Sequence, residues 1–107
     1  MSVKVLGQVA PSASTWTTLY EVPTSTATVC SSLMIANRGN TAALFDVAVR
    51  PGGVSLDDEH WVYAGVQLQS GDAFAATVGI TLAAGDVVAV RASTGDLSWS
   101  LFGEEVP

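Results

Sequence analysis

Apolar and polar side chains alternate along most of this chain. In HWVYAGVQL, Val62, Ala64, Val66 and Leu68 share one parity, while Trp61, Tyr63 and Gln67 take the other. LFDVAVR sets Phe45, Val47 and Val49 against Asp46, Ala48 and Arg50. DAFAATVGI groups Phe74, Ala76, Val78 and Ile80, and LSWSLF groups Leu97, Trp99 and Leu101 with two serines opposite. A repeat of two marks strands with one buried face, because successive side chains leave opposite faces of a sheet. No window carries apolar residues at helical spacing, and Thr, Val and Ser are plentiful where Lys, Glu and Gln are scarce. The pattern predicts eight strands, near 3–10, 15–22, 28–37, 42–50, 60–68, 73–80, 86–92 and 97–103.

One segment departs from strict alternation. ATVCSSLMIAN has apolar residues on both parities, Val29, Leu33 and Ile35 against Cys30, Met34 and Ala36. A central strand, or one whose outer face meets a neighbour, reads this way. Among the aromatics, Trp16 and Tyr20 share a parity with Val22 and are expected in the core, as is Trp99 between its two serines. If Val62 and Ala64 face inward, Trp61 and Tyr63 face out, where aromatic rings are suited to contact surfaces.

Turn signals separate the runs: APSAS at 10–14, VPTST at 22–26, NRGN at 37–40 and RPGG at 50–53. Gly-Asp occurs three times, at Gly71-Asp72, Gly85-Asp86 and Gly95-Asp96. Glycine supplies positive φ in a tight connection and aspartate bonds back to nearby amides, so these pairs are expected to be punctuation. Calcium-binding β-helix repeats would need tandem glycine-rich nonapeptides, which are absent. Short strands at this spacing predict an all-β, single-domain antiparallel β-sandwich over 1–107, jelly-roll or Ig-like, with about eight strands.

Composition narrows the function. Ten acidic residues against four basic ones give a net charge of −6, and Lys4, Arg38, Arg50 and Arg91 are scattered. No basic stripe is available for phosphates, so no nucleic acid and no anionic membrane surface is expected as a partner. Only 13% of residues are charged, about half the usual share, which leaves weakly polar surface for another subunit to cover. A lone cysteine, Cys30, forms no internal disulfide and is expected as a buried thiol. The N-terminal MSVKVLGQVAP lacks a signal-peptide core and no stretch has the length of a membrane helix, so synthesis in the cytoplasm is expected.

Candidate chemistry is thin. LDDEHWVY gathers Asp57, Asp58, Glu59 and His60, but consecutive carboxylates point in different directions and one histidine with one cysteine is too few for zinc. No G-x-S-x-G and no glycine-rich phosphate loop occurs. A hydrolase or metal enzyme would need His60 in a pocket beside Asp57, Asp58 or another acid. The expectation is no catalytic residue, no metal and no cofactor.

Three segments, LGQVAPSASTWTTLYEVP, SSLMIANRGNTAALFDVAVRPGG and GITLAAGDVVAVRASTGDLSWSLFGEE, together resemble a family of small all-β virion proteins of tailed bacteriophages. The likeness covers nearly the whole chain. It implies a non-enzymatic structural protein on the virion, a capsid decoration (cement) protein that binds and stabilises the major capsid protein shell. A tail- or fibre-associated module that attaches to a carbohydrate receptor is the alternative. The ending LAAGDVVAV with its aromatic strand is also similar to the last strands of trimeric tumour-necrosis-factor-like jelly rolls, which implies self-association as a homotrimer. The contact surface is assigned to Trp61, Tyr63, Arg38 and Arg50.

Overall fold

The computed structural model describes residues 3–107. Eight strands run β1 (Lys4–Val9), β2 (Thr17–Glu21), β3 (Ala27–Asn37), β4 (Ala43–Arg50), β5 (Trp61–Leu68), β6 (Ala73–Leu82), β7 (Val87–Ala92) and β8 (Leu97–Val106). Two short 3-10 turns, Pro51–Gly53 and Asp58–His60, are the only helical pieces among the described residues. Each alternating run of the sequence is thus a strand, and each turn signal lies at or between strand ends.

Sheet A has the order β1-β8-β3-β6 and sheet B the order β2-β7-β4-β5. Every pairing is antiparallel. Read from the ends inward, β1 pairs with β8, β2 with β7, β3 with β6 and β4 with β5. That is a long hairpin rolled on itself, the jelly roll, and it resolves the choice left open between jelly-roll and Ig-like sandwiches.

The core lies between the sheets. Phe45, Ile35, Leu97, Val90 and Trp99 are at most 1% exposed, and Phe45 meets Trp99 edge to face with ring centres 5.5 Å apart. Along one side the sheets approach closely. A Cβ added to Gly7 in β1 would overlap the carbonyl oxygen of Leu19 in β2, so only glycine fits there. At one end Asn37, 3% exposed, donates from Nδ2 to the Thr41 and Leu68 carbonyls at 2.9 and 3.1 Å and accepts the Gly39 N–H at 2.9 Å. One side chain thereby ties the β3–β4 loop to the end of β5.

The Gly-Asp pairs are turns, as expected. Gly71 and Gly85 have φ of +71° and +85°. The Asp86 carboxylate accepts the Ala83 N–H within its own turn at 2.9 Å and the Gly52 N–H of the neighbouring loop at 2.8 Å.

Bulges correct the parity readings. In β5 the register shifts on both sides of Val47, and Gly65 sits at φ +62° where the pairing slips. Val66 and Leu68 therefore face inward as expected, but Tyr63 also faces inward, packed 6.4 Å from Phe45 and 5.6 Å from Phe74. Val62, expected inside, is 44% exposed, and Ala64 is exposed too. One extra residue reverses the phase of the positions before it, and the second shift restores it, so Trp61 faces outward as expected. In β2 a shift between Thr18 and Tyr20 has the same effect: Tyr20 and Val22 are core, but Trp16 lies on the outer face of sheet B. In β3, Cys30 and Ser32 bracket a shift against both neighbours. Cys30, Leu33 and Ile35 are all buried in consequence, while Val29 and Met34 are 43% and 47% exposed. β3 is a central strand of sheet A, and its mixed parity comes from this bulge.

Candidate binding faces

No helix among the described residues covers either sheet, so each outer face is a broad strand surface. On sheet A the outward rows are Val5–Phe102–Ser32–Thr77, Gln8–Ser100–Met34–Ala75 and Ser98–Ala36–Ala73, read across paired strands. None of these residues is charged. Charges appear only at the ends, with Glu104 beside Val29 at one and Arg38 at the other. Val5 and Met34 are about half exposed, at 49% and 47%.

Sheet B presents a polar and aromatic cluster. Asp46 on β4 faces Arg91 on β7 in register, and Arg91 Nε donates to Asp46 Oδ2 at 3.0 Å. The other carboxylate oxygen accepts the Gly65 N–H at 2.8 Å, so the β5 bulge and the ion pair hold one another. The Arg91 guanidinium carbon lies 4.7 Å from the Trp16 ring centre and 5.3 Å from that of Trp61, and the two rings meet edge to face at 5.2 Å. Cation–π contacts of this kind fix the guanidinium plane. Its terminal nitrogens make no hydrogen bond to the described residues. Beside it runs a shallow groove of about 260 Å³, lined by Ser14, Leu44, Asp46, Gly65, Arg91 and Ser93 among others. Beneath the aromatics, Ala48 stands opposite both Trp61 and Ala89, and both alanines are buried although they point outward.

The four residues expected to form one contact surface are dispersed. Trp61 joins the sheet B cluster. Tyr63 belongs to the core margin, for the bulge reason given above. Arg38 lies in the loop before β4 and donates to Ser98 Oγ at 2.7 Å and to the Gly95 carbonyl at 3.1 Å. Arg50 ends β4 and folds onto the carbonyls of Val54 and Gly53 at 2.7 and 2.9 Å, bracing the 51–54 turn. The two arginines thus flank opposite ends of β4 and tie down loops.

His60 is engaged locally. Its Nδ1 accepts the Asp57 backbone N–H at 3.0 Å while the His60 backbone N–H donates to the Asp57 carbonyl at 3.0 Å. Among the described residues no three His, Cys, Asp or Glu side chains stand close enough to share a metal ion. Cys30 is buried, and burial pushes its thiol up to about 11. Near one end of the sandwich, Tyr20 donates to Glu105 Oε2 at 2.6 Å, its oxygen lies 2.8 Å from Thr28 Oγ1, and Lys4 bonds Glu105 Oε1 at 2.7 Å.

The sequence reading missed Asp46, Arg91 and Trp16 as a cluster. Asp46 and Arg91 are 45 positions apart and meet only because β7 lies beside β4, a fact of strand order with no local signal. Compared with known proteins, the chain matches no family model, no curated protein and no solved structure.

Proposed function

We propose that this chain is a non-enzymatic structural protein of a phage virion, a capsid decoration protein that seats on the major capsid shell through the outer face of sheet A. The resemblance of its sequence to small virion β-proteins supplies the partner. The observation that carries the placement is the charge-free band from Val5 and Phe102 through Met34 to Ala73 and Ala75, on a chain of net charge −6. Fully burying a Val, Met or Phe side chain stabilises a contact by roughly 1.5–3 kcal/mol, and repetition over a shell multiplies modest contacts. Met34→Glu tests the face. The variant should fold normally and lose at least about tenfold in particle occupancy, as a charge buried without a partner is costly. Unchanged occupancy removes sheet A from the proposal.

A second reading moves the protein to the tail, as an attachment module that binds a carbohydrate. The sheet B groove favours it, because Arg91 offers free N–H donors beside an Asp46 carboxylate that retains lone pairs, the donor-and-acceptor pairing that sugar hydroxyls accept. Copy number on purified particles separates the two: hundreds per virion mean shell, a handful mean tail. Titration with neutral hexose oligosaccharides, followed by fluorescence of Trp16 and Trp61, tests the groove. No spectral response would dismiss it.

A further inference from the structure

The sandwich is sealed along one side and open along the other. On the sealed side the edge strands β1 and β2 touch, with Gly7 against the Leu19 carbonyl. On the other, β5 and β6 are the free edges of their sheets. A narrow crevice of about 20 Å³ enters there, lined by Cys30, Val47, Val62, Tyr63, Val78 and Ile80 among others, with no exposed polar atom. Water in it would find no hydrogen-bond partner. Val62 is 44% exposed on its wall.

Free edges are usually guarded by lysine, proline, inward charges or bulges. The sealed-side strands carry Lys4 and Glu21. WVYAGVQL of β5 and AFAATVGITL of β6 contain no charge and no proline. Each has one glycine at positive φ, Gly65 and Gly79, but Ala73–Thr77 pairs with Ser32–Ala36 without a shift and leaves a regular edge.

We propose that a second copy of this chain covers this side, the two β6 strands pairing antiparallel about a two-fold axis perpendicular to sheet A. Sheet A then continues as one sheet of eight strands. Such an axis sets every inward side chain opposite an inward one, so Phe74, Ala76 and Val78 share one inward row with those of the second copy, and Ala75 and Thr77 share the outward row with theirs. A chain of net charge −6 repels its copy over much of its surface, but neither of these two strands holds an acid. The area is sufficient. Ten residues at 3.3 Å extend roughly 33 Å, and the sandwich measures 19 Å along its shortest axis. Covering the whole length of β6 would bury at most roughly 600 Å² per copy and about 1,200 Å² in all, at the lower end of specific interfaces. An edge that pairs with itself closes at two copies, which departs from the trimer expected from the sequence.

Sedimentation velocity of the full chain, from low micromolar to a few hundred micromolar, tests the pairing. The expected result is a concentration-dependent shift to twice the 11.0 kDa chain mass. Val62→Lys and Thr77→Lys, both at exposed positions, should each weaken the dimer at least about tenfold while leaving the unfolding temperature unchanged at the lowest concentration, where the chain is monomeric. Amide exchange of the unmodified chain gives an independent reading: β6 should be protected on concentration and β1 should not. A monomer throughout, a trimer, a dimer indifferent to both lysines, or β6 amides that exchange equally at all concentrations would each overturn the proposal. It takes up the self-association expected from the sequence and does not rest on the virion assignment. A monomer that loads onto shells defeats the pairing alone, and a dimer that fails to load defeats the shell contact alone.

Discussion

Gly7 lies against the carbonyl oxygen of Leu19 so closely that no other residue fits between them. The two sheets meet there through backbone alone. Gly7→Ala should therefore force β1 and β2 apart and cost roughly 3 kcal/mol or more, above the usual range for overpacking because the obstacle is main chain. Urea unfolding measures it, and a loss under about 1 kcal/mol would show that the edge can shift.

Asn37 gives a second test. Its amide satisfies two carbonyls and one N–H, from the β3–β4 loop and the end of β5. Asn37→Ala orphans all three and should destabilise by about 2–4 kcal/mol. Asn37→Asp keeps the acceptor for Gly39 but turns a carboxylate toward the Thr41 and Leu68 carbonyls. It should be as damaging at neutral pH and milder in acid, which thermal unfolding across pH would reveal.

The phase reversal in β5 predicts opposite outcomes at adjacent positions. Tyr63→Ala removes a ring packed on Phe45 and Phe74 and should cost about 3 kcal/mol. Val62→Ser should cost under about 1 kcal/mol, because nearly half of Val62 already meets water. The reverse order would restore simple alternation.

Alkaline stability follows from Tyr20 and Cys30. Burial, helped by the Glu105 carboxylate, lifts the Tyr20 phenol from 10.0 to about 12, and burial alone lifts the Cys30 thiol from 9.0 to about 11. Both groups lose their proton earlier in the unfolded chain than in the folded one. Their contribution is complete below pH 9 and is lost as pH rises through 9 to 12. Tyr20→Phe should flatten the upper part of that decline. Lys4 and the Tyr20 hydroxyl hold Glu105 below the usual carboxylate range, so its contribution runs the other way, present at neutral pH and lost in acid. Thermal melts from pH 3 to 12 check both limbs.

Much of the architecture was legible because one face of nearly every strand is buried. Phe45, Val47, Leu97, Trp99 and Leu101 announce their orientation by alternation, and all are 4% exposed or less. Gly65, Ser31 and the Thr18–Tyr20 step did not announce the bulges that invert Tyr63, split β3 and turn Trp16 outward. A lone glycine inside a strand, as at Gly65, hints at a bulge, but the β2 and β3 bulges carry no compositional mark. The Asp46–Arg91 pair was hidden for a different reason, since it depends on which strands are neighbours across the sheet.

Strand order also governs when the fold can form. β8 lies between β1 and β3, and β7 lies between β2 and β4, so the last two strands in chain order occupy interior places in both layers. Until they arrive, the earlier six have gaps where those neighbours belong. Positions 87–106 take roughly 1–4 s to add during synthesis, an interval in which long uncharged segments wait without partners. Stopping translation ahead of Leu97 would leave β1 with no strand to pair with, and the nascent chain would await a chaperone or aggregate.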